Sequence, residues 1–378
     1  MKILIAPDSF KDSLSSFEVA RAIEKGIHLA CSTIETKIFP MGDGGEGSSE
    51  ILGHHFQAEK LQLEVEDALG RPTTASYYFS PHIHTAFIEM AEASGLQKIT
   101  PAERNCMKAS TYGTGQLIRH AIGEGAKKIV LAIGGSATND AGMGMANALG
   151  FRFYDTQNNL LKGIGEDLLK LHHFDESNAV LPTDLQVDVI CDVDNPLYGE
   201  KGAAYVYARQ KGATDLELKQ LDAGLTNFAK VVKQQQKIDI SDVPGAGAAG
   251  GLGAGSLVFL KASLHKGIDL MMEMTNFDQQ LSGVDLVITG EGKIDSQTIH
   301  GKLIHGITQH ARKFSVPVIA FCGMLNLNPE QVEELGLKGA FSIQSKPCTL
   351  DEAIKNTGKE LTNLSFNVMK TLNFHDAL

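Results

Sequence analysis

Apolar residues recur along this chain with two spacings, and the order in which they alternate predicts its layout. Ile3 to Ala6 is a short apolar run, as in a buried strand. Ser15-Ser16-Phe17-Glu18 then caps a helix running to about Ala30, with Phe17, Ala20, Ile23 and Ile27 on one stripe. Glu35 to Pro40 reads as a second strand, followed by the glycine-rich turn Met41 to Gly47 and a helix through Leu52. Strands separated by helices begin a doubly wound parallel sheet.

The middle of the chain follows another pattern. Lys60–Val65, Thr73–Phe79 and Thr85–Glu89 alternate as antiparallel strands do, with Gly70-Arg71-Pro72 as a turn. A helix (Thr114–Glu124) leads to the strand Lys128–Ile133, the loop Gly134–Thr138 and a helix over Asn139–Leu149. Leu185–Cys191 is a further strand, Asp215–Gln235 a long amphipathic helix and Ala248–Leu264 a buried one. From Asp285 the opening style returns. Asp285–Thr289, Val316–Cys322 and Ala340–Ile343 are strands, and helices over Ile299–Lys313, Pro329–Leu335 and Thr349–Leu372 alternate with them.

Two parallel strands at the start and three at the end make one five-stranded sheet. The predicted fold is therefore α/β: a discontinuous flavodoxin-like domain (1–66 plus 284–378) carrying an inserted α/β domain with a mixed sheet (67–283). In a 2-1-3-4-5 strand order the switch point lies between the first strand and the strand ending at Thr289. Ala6 to Lys11 and Gly290 to Asp295 would then face one another.

Composition narrows the class. The 378 residues are 43% apolar and 21% charged, as in a soluble globular protein. A net charge of −11 argues against a general grip on nucleic acid or an anionic membrane. No export or membrane signal is evident at the N-terminus, where Pro7-Asp8 cuts the apolar run short. The five scattered cysteines contain no CxxC pair, so reduced thiols in a cytoplasm are expected.

The 39 glycines cluster, which needs a reason in backbone geometry. Gly134-Gly135-Ser136-Ala137-Thr138-Asn139-Asp140 joins a strand to a helix, a setting for a phosphate or carboxylate cradle. Gly245, Gly247 and Gly250 form a GxGxxG match, read as anion binding in preference to close packing of small residues. A nicotinamide site would need a strand before it and an acid after the next strand, and neither is found. Acids gather at strand ends: Asp8, Asp43 with Glu46, Asp192 with Asp194, and Glu291 with Asp295. Beside anion loops such acids fit a Mg²⁺–nucleotide site, because Mg²⁺ takes one or two carboxylates with phosphate and water. Lys11, Lys211 and Lys302 each adjoin a motif and suit phosphate neutralisation. There is no GxxxxGK[ST], HExxH or GxSxG, and the histidines have no zinc-like spacing.

Taken together, these segments resemble the bacterial family 1 glycerate kinases. The resemblance rests on Ala6 to Ser15, Asp43 to Gly47, Ile88 to Leu96, Tyr112 to Gly115, Ile133 to Gly142, Cys191 to Val193 with Asn195-Pro196-Leu197, and Gln210 to Ala213. Pro244 to Gly251 and Gly290 to Thr298 with Gly301-Lys302 complete it. Arg209 and Cys106 stand where that family usually has proline. The resemblance implies a two-domain α/β enzyme that phosphorylates D-glycerate with ATP.

The expected reaction is transfer of the γ-phosphoryl group of Mg·ATP to D-glycerate in a cleft between the domains. The resemblance alone favours 2-phosphoglycerate. Asp192 is expected as the general base, with Lys11 and Lys211 as catalytic cations. Asp8 and Asp295 are expected to share the metal. Ser9, Gly134, Gly135, Ser136, Thr138, Asn139, Gly245, Gly247, Gly250, Gly290, Glu291 and Lys302 would bind substrate or phosphate. The enzyme would be cytoplasmic and bind neither nucleic acid nor membrane, with a homodimer left open. A NAD-dependent hydroxy-acid dehydrogenase and a non-catalytic sugar-acid sensor are the alternatives, and ADP release with D-glycerate separates all three.

Overall fold

The computed structural model describes residues 1–296, 298 and 303–372. In chain order the elements begin with β1 (Lys2–Ile5), α1 (Ser16–Ala30), β2 (Glu35–Ile38), α2 (Ser48–His55), β3 (Glu59–Glu66), β4 (Pro72–Ser80), β5 (Thr85–Glu89), α3 (Ala91–Ser94) and α4 (Tyr112–Gly123). Next come β6 (Lys128–Ala132), α5 (Met143–Ala148), β7 (Arg152–Tyr154), β8 (His173–Asp175), β9 (Gln186–Ile190), α6 (Asp215–Gln236), α7 (Ala248–Phe259) and β10 (Ser263–His265). The last are α8 (Gly267–Met274), α9 (Phe277–Gln280), β11 (Leu286–Ile294), α10 (Leu303–Lys313), β12 (Val318–Leu325), α11 (Pro329–Glu334), β13 (Gly339–Ser342) and α12 (Leu350–Leu372). None of the described helices is long and apolar enough to cross a membrane.

The chain is α/β and divides into two compact units, Met1–Asp43 with Ile268–Leu378, and Gly44–Gly267. These boundaries differ from the expected 1–66 and 284–378. β3 pairs along its whole length with β4, from Glu59↔Phe79 to Glu66↔Pro72, which ties it and the preceding α2 to the second unit. At the other end, Phe277 of α9 packs on Phe39 and its neighbour Asp278 ion-pairs with His310 of α10, so α8 and α9 belong to the first unit.

In unit 1 five strands pair in parallel, in the order β13-β12-β11-β1-β2. β1 lies inside the sheet, with Ile3 opposite Leu286 on one side and Thr36 on the other. A capping box between Ser15 and Glu18 starts α1. Its stripe Val19, Ile23 and Ile27 is buried with Ile3, Ile5, Ile288 and Phe321, and with Leu361 and Met369 of α12. α1 and α12 approach closely at Gly26, where a Cβ would lie 2.3 Å from the Thr362 carbonyl oxygen. Glycine is required there by contact, not by dihedral.

Unit 2 carries a six-stranded mixed sheet, β10-β9-β6-β5-β4-β3, and the two-stranded pair β7-β8. β3, β4 and β5 are antiparallel, whereas β5, β6, β9 and β10 are mutually parallel. The core joins Ile88, Leu131 and Val189 from the sheet to Leu117, Phe228 and Phe259 from helices.

Three expected elements are redrawn. The helix expected over Asn139–Leu149 starts only at Met143, because Ala141 (φ 51°) and Gly142 (φ 72°) are left-handed. The helix expected over Ala248–Leu264 has left-handed residues at 249–251, ends at Phe259 and gives way to β10. β11 continues past Thr289 to Ile294, its pairing with β12 reaching Ile294↔Leu325.

Candidate active site

Two sets of functional side chains emerge, one on each unit. In unit 1 the first set lies where β1 leaves the sheet. The Asp8 amide donates to the Gly290 carbonyl at 2.8 Å, extending the β1–β11 pairing beyond the strand itself. The Asp8 carboxylate accepts from the Ser9 amide at 2.6 Å. Burial is the main force on this carboxyl, and Asp43 and Glu291 add like charge. Together they push its pKa from 3.8 up to about 7. Glu291 accepts from the Thr298 hydroxyl at 2.6 Å.

Asp295, expected to share the metal with Asp8, follows the end of β11 at Ile294. Its amide donates to the Thr298 hydroxyl at 3.2 Å, the same hydroxyl that donates to Glu291. Asp295 there pairs with Lys293 at 2.7 Å. The acids that act on Asp8 are Asp43 and Glu291. Among the described residues no group of three or more His, Cys, Asp or Glu is arranged to cage a metal. Mg²⁺ does not require one. Lys302 lies outside the described residues.

A cavity of about 560 Å³ opens beside this set, at the carboxyl ends of β11, β12 and β13. Lys11, Lys293 and Lys346 line it together with Met324, Ile343 and Leu350. Lys11 and Lys293 come from the two segments expected at the switch point, whereas Lys346, Met324, Ile343 and Leu350 come from segments with no motif of their own. A second cavity of unit 1, about 1070 Å³, lies among α10, β12 and α11 and is lined by none of the expected site residues.

In unit 2 the second set stands at the carboxyl ends of the parallel strands. Gly134 and Gly135 follow β6, are exposed, and give their amides to no backbone acceptor among the described residues. Gly135 is left-handed (φ 73°), and a Cβ on Gly134 would meet open space. Consecutive bare amides in that conformation form an anion-binding concavity. The rest of the expected cradle points inward: Ser136, Thr138 and Asn139 are buried. Among the described residues, Thr138 Oγ1 and both side-chain amide atoms of Asn139 have no hydrogen-bond partner, nor does Ser256 Oγ.

Lys211 explains how the loop is held. Its ammonium donates to Ser136 Oγ at 2.6 Å and to the Thr138 carbonyl at 2.8 Å. The side chain is buried, and desolvation lowers its pKa from 10.5 to about 8. Asp140, also buried, accepts from the Thr111 amide and hydroxyl and from the amides of Gly142 and Gly144. Lys211 thus holds the loop through two of its three N–H donors.

Asp192 follows β9 and is exposed. Its Oδ1 accepts from the Gly267 amide at 2.8 Å, which fixes the carboxylate's direction. Gly44 (φ 95°) packs under the other oxygen, where a Cβ would lie 2.9 Å from Oδ2. Glu89, at the end of β5, is buried and accepts from the Ser49 amide and hydroxyl at 2.9 Å each, so it anchors α2.

The GxGxxG run is closely packed. A Cβ on Gly247 would meet the Pro196 carbonyl at 2.1 Å, and one on Gly250 the Thr138 carbonyl at the same distance. The amides of Ala246, Gly247, Ala248, Gly251 and Ala254 all donate to backbone carbonyls. Close approach of α7 to the 134–142 loop accounts for glycine at 250, and the Gly247 amide is engaged with the Asn195 carbonyl. Arg209 pairs with Asp215 at the surface, and Cys106 is buried.

Acids beside lysines, and bare amides at the ends of parallel strands, define a class: an α/β protein built to handle phosphorylated or carboxylate substrates. Comparison with known proteins gives the particular family. The sequence profile of the glycerate kinase family matches residues 3–373, and the chain belongs to that family. It is 42% identical over 369 residues to a glycerate kinase of Bacillus cereus, covering 97% of each chain. It is 41% identical over 373 residues to the glycerate 2-kinase of Escherichia coli K12, covering 98% of each. The crystal structure described as glycerate kinase 2 from Salmonella typhimurium LT2 superposes with a TM-score of 0.91. That match has 41% identity and covers 100% of both chains.

Proposed function

We propose that the chain transfers the γ-phosphoryl group of Mg·ATP to a hydroxyl of D-glycerate, releasing ADP. Phosphorylation at O2 is favoured over O3, supported by the similarity to a relative named for position 2. The five-stranded order of unit 1 supports classing it as flavodoxin-like, with ligands at the β1/β11 switch point. A cytoplasmic location fits a kinase of this family and is part of the proposal.

The observation that carries the chemistry is the crowding of Asp8 by Asp43 and Glu291. A half-buried carboxyl pushed up to about 7, in part by like charge, is one whose ionised form a divalent cation would stabilise. Asp8 would hold Mg²⁺ with Glu291 or Asp43, the remaining positions going to phosphate and water. When bound, the metal supplies positive charge to phosphate oxygens. Lys11 neutralises phosphate from the same loop.

On unit 2 the amides of Gly134 and Gly135 take an anionic group, and Lys211 keeps their loop in shape through Ser136 and Thr138. Asp192, oriented by the Gly267 amide, accepts the proton of the glycerate hydroxyl. That oxygen bonds to the γ-phosphorus as the bond to the β,γ-bridging oxygen breaks, and ADP leaves with the electron pair.

Coupled ADP release with D-glycerate, followed by phosphorus NMR of the product, tests the reading. Turnover giving 2-phosphoglycerate is expected. No glycerate-dependent ADP, or NADH formation in its place, would reject it, and 3-phosphoglycerate would reject the regiochemistry alone.

A further inference from the structure

The 560 Å³ cavity of unit 1 joins the Lys11 and Gly292-Lys293 segments to side chains that neither the motifs nor the mechanism above uses. One wall is apolar and open to solvent: Met324 and Leu350 are 56% and 73% exposed, with Ile343 and Ile354 behind them. Isolated exposed apolar residues are ordinary, but here they converge on one concavity. The same lining carries Lys11, Lys293 and Lys346 against the single acid Asp12, in a chain of net charge −11. Gly292 and Gly323 bring bare backbone into the lining. Without side chains there, a ligand can lie against the main chain.

We infer that this cavity is the nucleotide site, with the purine base on the Met324–Ile343–Leu350 wall. The triphosphate then runs over Gly292 toward Lys11. The direction follows from position. Gly292 adjoins Glu291, and Lys11 lies three residues beyond Asp8, so this side of the cavity leads to the acids that act on Asp8. At the start of α12 the amides of Thr349 and Glu352 are engaged in a reciprocal Thr349–Glu352 cap. Lysines and apolar side chains share one lining, as a nucleoside triphosphate requires. The volume lies within the ~300–1,000 Å³ of small-molecule sites.

This inference rests on the kinase reading for the identity of the ligand, and its test separates the two. Ala353, on the α12 side of the cavity, is replaced by phenylalanine to fill the base end. Ala353→Phe is expected to raise KM for ATP at least ~10-fold, leaving KM for D-glycerate within about twofold and the melting temperature unchanged. Photolabelling of the unaltered chain with 8-azido-ATP, without glycerate, should place the label in peptides spanning 320–357. Label confined to peptides around 134–142 or 245–253, or a rise in glycerate KM with ATP KM unchanged, would overturn the inference. If Ala353→Phe fails to fold, the photolabel map decides. Labelling of 320–357 in a protein that does not phosphorylate glycerate would uphold the site and reject the kinase reading.

Discussion

Replacing Asp8 by asparagine separates the cost of the carboxylate cluster from its use. The folded Asp8 titrates at about 7 and its reference value is 3.8. Because the folded pKa is the higher, its contribution to stability is complete below about pH 4 and is lost as pH rises through 7. At about 1.36 kcal/mol per pH unit, the burden of Asp8 on the folded state is about 4 kcal/mol at pH 8, relative to its fully protonated form. Near pH 4 most of that burden is absent. The replacing asparagine would keep an oxygen for the Ser9 amide without the charge. In the absence of Mg²⁺ and nucleotide, Asp8→Asn should therefore raise stability at pH 8 by about 2–4 kcal/mol. For a unit of about 150 residues this is a rise of roughly 5–15 °C in Tm. Differential scanning calorimetry at pH 4.5, 6 and 8 measures it, and the gain should shrink toward zero at the lowest pH. Saturating Mg·ATP should stabilise the unaltered chain more than the variant, and turnover by the variant should fall by at least ~10²-fold. Equal melting temperatures at pH 8, or a difference independent of pH, would refute the account of Asp8.

Asp295→Asn should leave the apparent Mg²⁺ constant within about twofold in a metal titration of turnover, whereas Asp8→Asn should weaken it at least ~10-fold. Asp192→Asn should lower kcat by ~10²–10⁴-fold with KM for ATP little changed, and steady-state kinetics with near-normal kcat would remove Asp192 as the base. Gly250→Ala should lower the melting temperature markedly, since its Cβ would lie 2.1 Å from the Thr138 carbonyl, while nucleotide photolabelling of unit 1 persists. Lys211→Met should cost both stability and kcat/KM, and Lys211→Arg should not rescue either, because the buried site fits one ammonium between Ser136 and Thr138.

The strands and long helices were legible because their periodicity is local. Ile3 to Ile5 and Ser15 to Glu18 carry β1 and the α1 cap without help from elsewhere. The 134–140 loop was legible as a place but not in its detail: only the fold shows that Lys211 reaches it from 75 residues away. The GxGxxG was ambiguous because glycine serves close packing and anion approach equally well, and only the fold shows the nearby carbonyls of Pro196 and Thr138. The length of β11 was not legible, as the strand outlasts its apolar run: Gly290 to Lys293 are strand by pairing with β12, not by composition. The cavity wall of Met324, Ile343 and Leu350 had no signal at all, since it is assembled from three separate segments.

The interior place of β1 bears on how the chain is made. Its partner on one side, β2, follows directly after α1, but Leu286 on the other side arrives only near the end of synthesis. Synthesis at roughly 5–20 residues per second leaves that edge of β1 unpaired for about 15–55 s. During the same interval the stripe Val19, Ile23 and Ile27 lacks Leu361 and Met369 of α12. Unit 2 is one continuous stretch and emerges whole before β11 does, so the growing protein carries a finished α/β body behind an open sheet edge. Such an edge is a template for pairing with another chain. The segment Met1–Asp43 is therefore where chaperone dependence and aggregation during synthesis should concentrate, although its Ile3, Leu4 and Ile5 end fully buried in the finished unit.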